Sequence, residues 1–208
     1  MKSAIGLMVF LSATGTLGWM LLLPSALRVE VESRTGFPVE IGSLASNPLG
    51  FSLSGKDVVV GNPSAYGGGE PMLQITELKA DASLPSLGRG EIWIDDMELR
   101  VATARIVADE RGKLNVDSFL RSLFASENGD GSMPFHATRV HLIVDEVQYV
   151  DLSAKIAGKR SIRPMLDVEV HDTDKPTELL GPIIDLGKRL GALPVGAGSS
   201  SPLLGDRL

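Results

Sequence analysis

The chain contains no cysteine. That excludes disulfides, thiolate nucleophiles and Cys-ligated zinc, and it fits either a reducing or an oxidising compartment. Histidine is scarce: His136, His141 and His171 are the only ones. None has a second histidine or a carboxylate at metal-ligand spacing on a shared helical face. Aromatic residues make up only 5%. Basic residues are in the minority, 20 Lys and Arg against 26 Asp and Glu, for a net charge of -6. Nucleic-acid binding calls for a clustered basic face. The one basic cluster, Lys159-Arg160 with Arg163, is too small for that. The hydrolase elbow G-x-S-x-G is also missing; Gly50-Phe51-Ser52 and Ser54-Gly55 fall one residue short of it. Gly67-Gly68-Gly69 lacks the spacing of a dinucleotide loop, and no helix pattern follows it. No catalytic residue, cofactor or metal is expected. The chain reads as a non-enzyme with no nucleic-acid partner.

What is present begins with a long apolar run. Ala4 to Leu23 is twenty residues without a charge. As a helix it spans about 30 Å, the thickness of a bilayer core. The anchor residues are Ile5, Leu7, Val9, Phe10, Leu11, Leu17, Trp19, Met20, Leu21, Leu22 and Leu23. Trp19 stands near the far end, where an amphipathic ring suits the interface. Lys2 and the amino terminus flank the near end, so the positive-inside rule keeps the N-terminus cytoplasmic and exports the rest. A cleaved signal peptide is the competing reading. Its apolar region is usually only ~7–15 residues long, and the small-residue site near Ala26 carries Pro24 two places upstream. Either reading places the remainder outside the cytoplasm. Beyond Pro24, Leu27 and Val31 share a helical face, and Glu30 and Arg34 form an i,i+4 pair. Gly36 suits the C-cap of such a stalk helix.

Most of the remaining chain alternates apolar and polar residues, the mark of strands with one buried face. The alternation is broken in four places, around Gly55-Asp57, Thr76-Glu77, Asp95-Asp96 and Asp145-Glu146, and resumes out of phase each time. A slip of one residue would turn the apolar set to the wrong face. An extra bulged residue absorbs the slip and bends the strand. Four such breaks predict a sheet bent across its width by aligned bulges. The aspartate and glutamate pairs could alternatively be read as paired carboxylates or a calcium site, but they lack the loop spacing of an EF-hand.

Helical patterns are short. Val116, Phe119, Leu120, Leu123 and Phe124 form one apolar face behind Asn115, a candidate N-cap. Pro176 to Leu190 has helical spacing, with Gly181-Pro182 expected to split it. The expected fold is mainly β with minor α (α+β): a transmembrane helix, then a curved antiparallel β-sheet, groove-like, with one or two short helices. The divisions are 1–35 anchor and stalk, 36–175 curved β domain, 176–190 C-terminal helical segment, and 191–208 disordered tail. So little helix leaves two readings of the apolar face. Either it is an open groove for apolar ligand or a partner, or the helices close it as an ordinary α+β core. The groove candidates are Ile92, Ile94, Met97, Leu99, Val101, Val140, Leu142, Val144, Val147 and Tyr149.

The order of these features resembles the AsmA-like family of bacterial envelope proteins. The stretches that carry the resemblance are R-T-G-F-P-V-E-I (Arg34 to Ile41), F-S-L-S-G-K-D-V-V-V-G-N-P (Phe51 to Pro63), Leu73 to Ile94, and R-G-K-L-N (Arg111 to Asn115). The match covers roughly residues 1 to 150, judged by pattern. The resemblance implies a chorein-like, bridge-type lipid-transfer groove on a protein of the bacterial inner membrane, with its main domain periplasmic. It implies membrane lipid as the partner and phospholipid handling or envelope maintenance as the function. Larger members extend the groove across the periplasm. This chain is too short to bridge alone, which leaves a protein partner or a homo-oligomer open. It also leaves open a scaffold or assembly role that uses the same face.

Overall fold

The computed structural model describes residues 23–47, 52–82, 92–125, 134–153 and 158–192. The anchor residues Ile5 to Leu22 and the tail from residue 193 lie outside the described residues, as do the side chains of Ala82 and Ile92. Helix α1 (residues 23–35) leads into β1 (Val39–Asn47) and β2 (Ser52–Gly61). A 3-10 turn at Ser64–Tyr66 precedes β3 (Pro71–Ala82) and β4 (Ile92–Ala108). Then come α2 (Asn115–Leu123), β5 (Phe135–Asp151), β6 (Lys159–Ile162), β7 (Leu166–Thr173), α3 (Pro176–Leu179) and α4 (Gly181–Ala192). The protein is mainly β: one curved, open sheet in the order β1-β2-β3-β4-β5-β6, with β7 also paired to β5. Among the described residues, no helix is long and apolar enough to cross a membrane.

The local expectations for α1 hold. Arg34 pairs with Glu30. Gly36 takes a left-handed φ of 72° and its N–H returns to the Glu32 carbonyl at 2.8 Å, closing the helix. Glu32 in turn accepts the Val39 N–H at 2.8 Å, tying α1 to β1.

The sheet is not antiparallel throughout. β4 and β5 run parallel, from Ile92↔Phe135 to Ala108↔Asp151. Parallel neighbours cannot be joined by a tight hairpin, so the chain has to travel back along the sheet. The connection containing α2 makes that return. The helix expected as a cover is therefore also a crossover.

The phase breaks are real, but they sort into two creases. In the first, the pairing passes over Gly42 opposite Asp57, and Asp57 opposite Thr76. It shifts again between Gln74 and Glu77 against β4, then passes over Ala102 opposite Asp145. On the far edge the same level falls at residues 163–165, between β6 and β7. The second crease involves Asp95 and Thr138, which the pairing also passes over. Asp95-Asp96 and Asp145-Glu146 thus belong to different creases, not to one aligned set. Because β4 and β5 step out of phase together, their apolar residues stay in register: Met97 with Val140, Leu99 with Leu142, Val101 with Val144, Ala104 with Val147 and Ile106 with Tyr149. The backbone shows how the first crease is made. Asp57 is left-handed, with φ 53°, and a Cβ on Gly42 would lie 2.8 Å from Asp57 Cβ. Only glycine fits there.

One face of the sheet is polar and solvated; the other carries the core. The principal helix contacts fall on β4 to β7. α2 contributes Val116, Phe119 and Leu120, and α4 contributes Ile183, Ile184 and Leu190. α4 splits from α3 at Leu180-Gly181, as Gly181-Pro182 predicts. It lies close because Gly187 and Gly191 have no side chain: Cβ atoms there would fall 2.0 Å from Ile106 Cδ1 and 2.7 Å from Tyr149 Cζ.

Asn115 differs from its expected role. The N-cap is Leu114, and Asn115 is wholly buried. Its Nδ2 donates to Asn62 Oδ1 at 2.8 Å and to the Arg105 carbonyl at 2.9 Å. Its Oδ1 accepts from the N–H of Val107 at 2.9 Å and of Val116 at 2.8 Å. Two donors and two acceptor sites are the full capacity of an amide, so one side chain pins β4, the β2–β3 connection and α2 together. Nearby, Tyr66 is buried, its hydroxyl 2.6 Å from Ser118 Oγ, and Phe37 packs between Tyr66 and Phe119.

Candidate functional site: an apolar trough on the first three strands

Nine of the ten groove candidates come together on one face, and most of them form the core; the side chain of Ile92 lies outside the described residues. Leu99 is 6% exposed, Val140 is 1%, and Val101, Leu142, Val144 and Val147 are 0%. Tyr149 is half-buried under Gly191, and burial pushes its phenol pKa up, with Asp151 adding to the shift. Ile94 and Met97 are half-buried against the cluster of Phe135, Ala137, Val140 and Leu179. The middle of the expected groove is closed by the protein's own helices, so those six buried residues cannot serve as its open floor.

The apolar rows do not stop where the helices stop. The row of Leu99 continues across the sheet through Leu78 and Gly55 to Leu44. The row of Met97 continues through Ala80 and Leu53 to Ser46. Leu44, Leu53, Leu78 and Ala80 are all half-buried. They form an apolar strip on β1 to β3, here called the trough, where Leu78 packs against the edge of the core and the principal helix contacts among the described residues do not fall. Gly55 in its floor is itself buried, and a Cβ there would lie 3.3 Å from Leu44 Cδ1 and 3.5 Å from Val58 Cγ2. Ser46 Oγ is buried in this trough and has no hydrogen-bond partner. Buried hydroxyls are nearly always paired, so an unpaired one calls for an explanation. An apolar trough with one unspent polar group is the usual chemistry of a lipid or small apolar ligand site.

Among the described residues the opposite face is dominated by charged pairs. Asp96 is held by a two-point ion pair with Arg139, at 2.7 and 2.8 Å. The Arg139 guanidinium keeps the Asp96 carboxyl below the usual carboxylate range. Lys79 sits between Glu77 at 2.9 Å and Glu98 at 3.3 Å; the hydrogen bond from Lys79 lowers Glu77, and those from Glu77 and Glu98 raise Lys79. His141 Nε2 lies 2.6 Å from Asp167 Oδ1. Apart from Glu77–Lys79, which lies along β3, these are cross-strand pairs on a solvated sheet face. A hollow of about 310 Å³ is lined by Ser52, Ser54, Lys79, Asp81, Asp96 and Glu98, together with Leu53 and Ala80 of the intervening positions. Among the described residues, no group of three or more His, Asp or Glu could hold a metal ion.

Leu44, Leu53, Leu78 and Ala80 fit the apolar–polar alternation of their strands. Their exposure was not, because alternation marks a face and says nothing about which part of it a helix covers. No family model, curated protein or solved structure matches the chain.

Proposed function

We propose that the chain is a membrane-tethered, non-enzymatic protein of the bacterial envelope that holds phospholipid or a similar apolar lipid on its creased sheet. In this reading the run Ala4 to Leu23 anchors it in the inner membrane with the N-terminus cytoplasmic, and the sheet domain lies in the periplasm. The observation that carries the reading is the trough of Leu44, Leu53, Leu78 and Ala80 with the unpaired Ser46 hydroxyl. Acyl chain suits the leucines, and a glycerol or ester oxygen suits the hydroxyl. The trough is short, so the role is a local one, presenting or accepting lipid within a larger assembly. Native mass spectrometry of the full chain, purified in mild detergent, tests this. A phospholipid-sized adduct is expected, reduced by Leu53→Asp in a protein that stays folded. Absence of any adduct counts against the reading.

One observation favours a second role, a scaffold for an inner-membrane complex. The protein's own helices cover Leu99, Val101, Leu142, Val144 and Val147. A stable core with a small uncovered strip also suits protein docking, and a specific protein crosslinked at the trough would favour that role.

A further inference from the structure

We infer that the corner formed by β6 and its link to β7 is a second contact with the bilayer, made to anionic headgroups. The inference rests on the reading that the chain is tethered to a membrane. Gly158 to Met165 carries three cations and no anion in a chain of net charge -6. Arg160 is turned inward, with Nη1 donating to the carbonyls of Leu190 and Gly191, both at 2.9 Å. Lys159 and Arg163 are exposed. Among nearby carboxylates, Glu146 reaches Arg163 only at 4.0 Å, and Asp167 is taken by His141. With the Arg163 side chain 84% exposed, a pair of that length is weak and leaves the cation available.

The same corner holds apolar side chains in water. Val29, Trp93, Ile162 and Met165 are the exposed large apolar residues among those described, and two of them are here. Met165 is 85% exposed and its backbone is left-handed, φ 45°, a conformation that a bulky L residue rarely adopts. Lysine and proline alone would protect a free sheet edge; they do not account for isoleucine and methionine held outward beside them. Cations beside apolar knobs match an anionic interface, which takes charge at the headgroups and apolar groups just below. The placement agrees. Ile162 lies in one row with Val147, Ala104, Leu73, Val60 and Val39. Val39 is where the chain enters the sheet after α1.

The absence of cysteine allows a clean test. Met165→Cys, labelled with an environment-sensitive fluorophore, is placed with the full chain in nanodiscs of phosphatidylglycerol and phosphatidylcholine, or of phosphatidylcholine alone. Ala45→Cys, exposed at the other end of the sheet, is the reference. A blue shift at residue 165 and not at residue 45 is expected, only with phosphatidylglycerol present. It should vanish with Lys159→Glu/Arg163→Glu and in about 1 M salt, where the screening length is ~3 Å. A chain retained in the disc, with residue 165 as water-exposed as residue 45, overturns the inference and leaves the trough reading standing. A chain that does not enter the disc overturns the tether and this inference together.

Discussion

Replacing Asn115 by alanine removes four hydrogen bonds at a site with no access to water. The Val107 N–H, the Arg105 carbonyl and Asn62 Oδ1 each lose a partner. Asn62 is itself 4% exposed, so water does not replace the loss without opening the structure. A buried group left unpaired costs about 1–3 kcal/mol. These losses share one site and do not simply add, which puts Asn115→Ala at about 3–5 kcal/mol. That is a large part of the ~5–15 kcal/mol that holds a typical domain. Ser118→Ala removes the contacts to the Tyr66 hydroxyl at 2.6 Å and the Leu114 carbonyl at 3.0 Å, and should cost only about 1 kcal/mol. Urea denaturation of the full chain in mild detergent, followed by far-ultraviolet circular dichroism, reads both. An Asn115→Ala cost below about 1 kcal/mol, or one no larger than that of Ser118→Ala, would refute the claim that this amide pins α2 to the sheet.

Other outcomes follow from the same geometry. Gly42→Ala sets a Cβ 2.8 Å from Asp57 Cβ; overpacking of this kind costs about 1–3 kcal/mol, measurable as a lower urea midpoint. Gly187→Val should push α4 off Ile106 and raise hydrogen exchange in Gly181–Ala192. Leu99→Asp should unfold the domain, since a 6% exposed site cannot hydrate a carboxylate, whereas Leu53→Asp should leave the circular dichroism spectrum intact. Arg139→Gln should return the Asp96 carboxyl toward its ordinary range in an NMR titration. Because Asp96 is depressed in the fold, its contribution is present above the unfolded carboxylate pKa of ~3.9 and is lost as pH falls through the folded value. With the Asp96 side chain 42% exposed, solvent screening keeps that contribution well under about 1 kcal/mol.

How far the sequence could be read depends on what each signal encodes. Alternation identifies a face, so Met97, Leu99 and Val101 were placed with Val140, Leu142 and Val144 correctly, as the register shows. The breaks at Asp57, Thr76, Asp95 and Asp145 were legible because a bulge must shift the apolar phase to keep the face. Which breaks line up was not legible, because that depends on pairing partners. The parallel junction of β4 and β5 was missed for the same reason: the strand pattern is identical in either direction. Asn115 looked like a cap because it precedes an apolar helix. Its burial arises from Asn62, 53 positions earlier in the chain. The open face was expected on β4 and β5, which α4 covers; its seating depends on Gly187 and Gly191, and a glycine's packing role is silent until the partner strand is known.

The central proposal is that the half-buried apolar rows on β1 to β3 touch lipid. A photoreactive amino acid at Leu78, on the trough side of β3, and at Arg100, on the polar side of the neighbouring strand β4, would test this in intact cells. The account predicts phospholipid adducts at position 78 and none at position 100. Protein adducts alone at position 78, or equal lipid labelling at both positions, would contradict it.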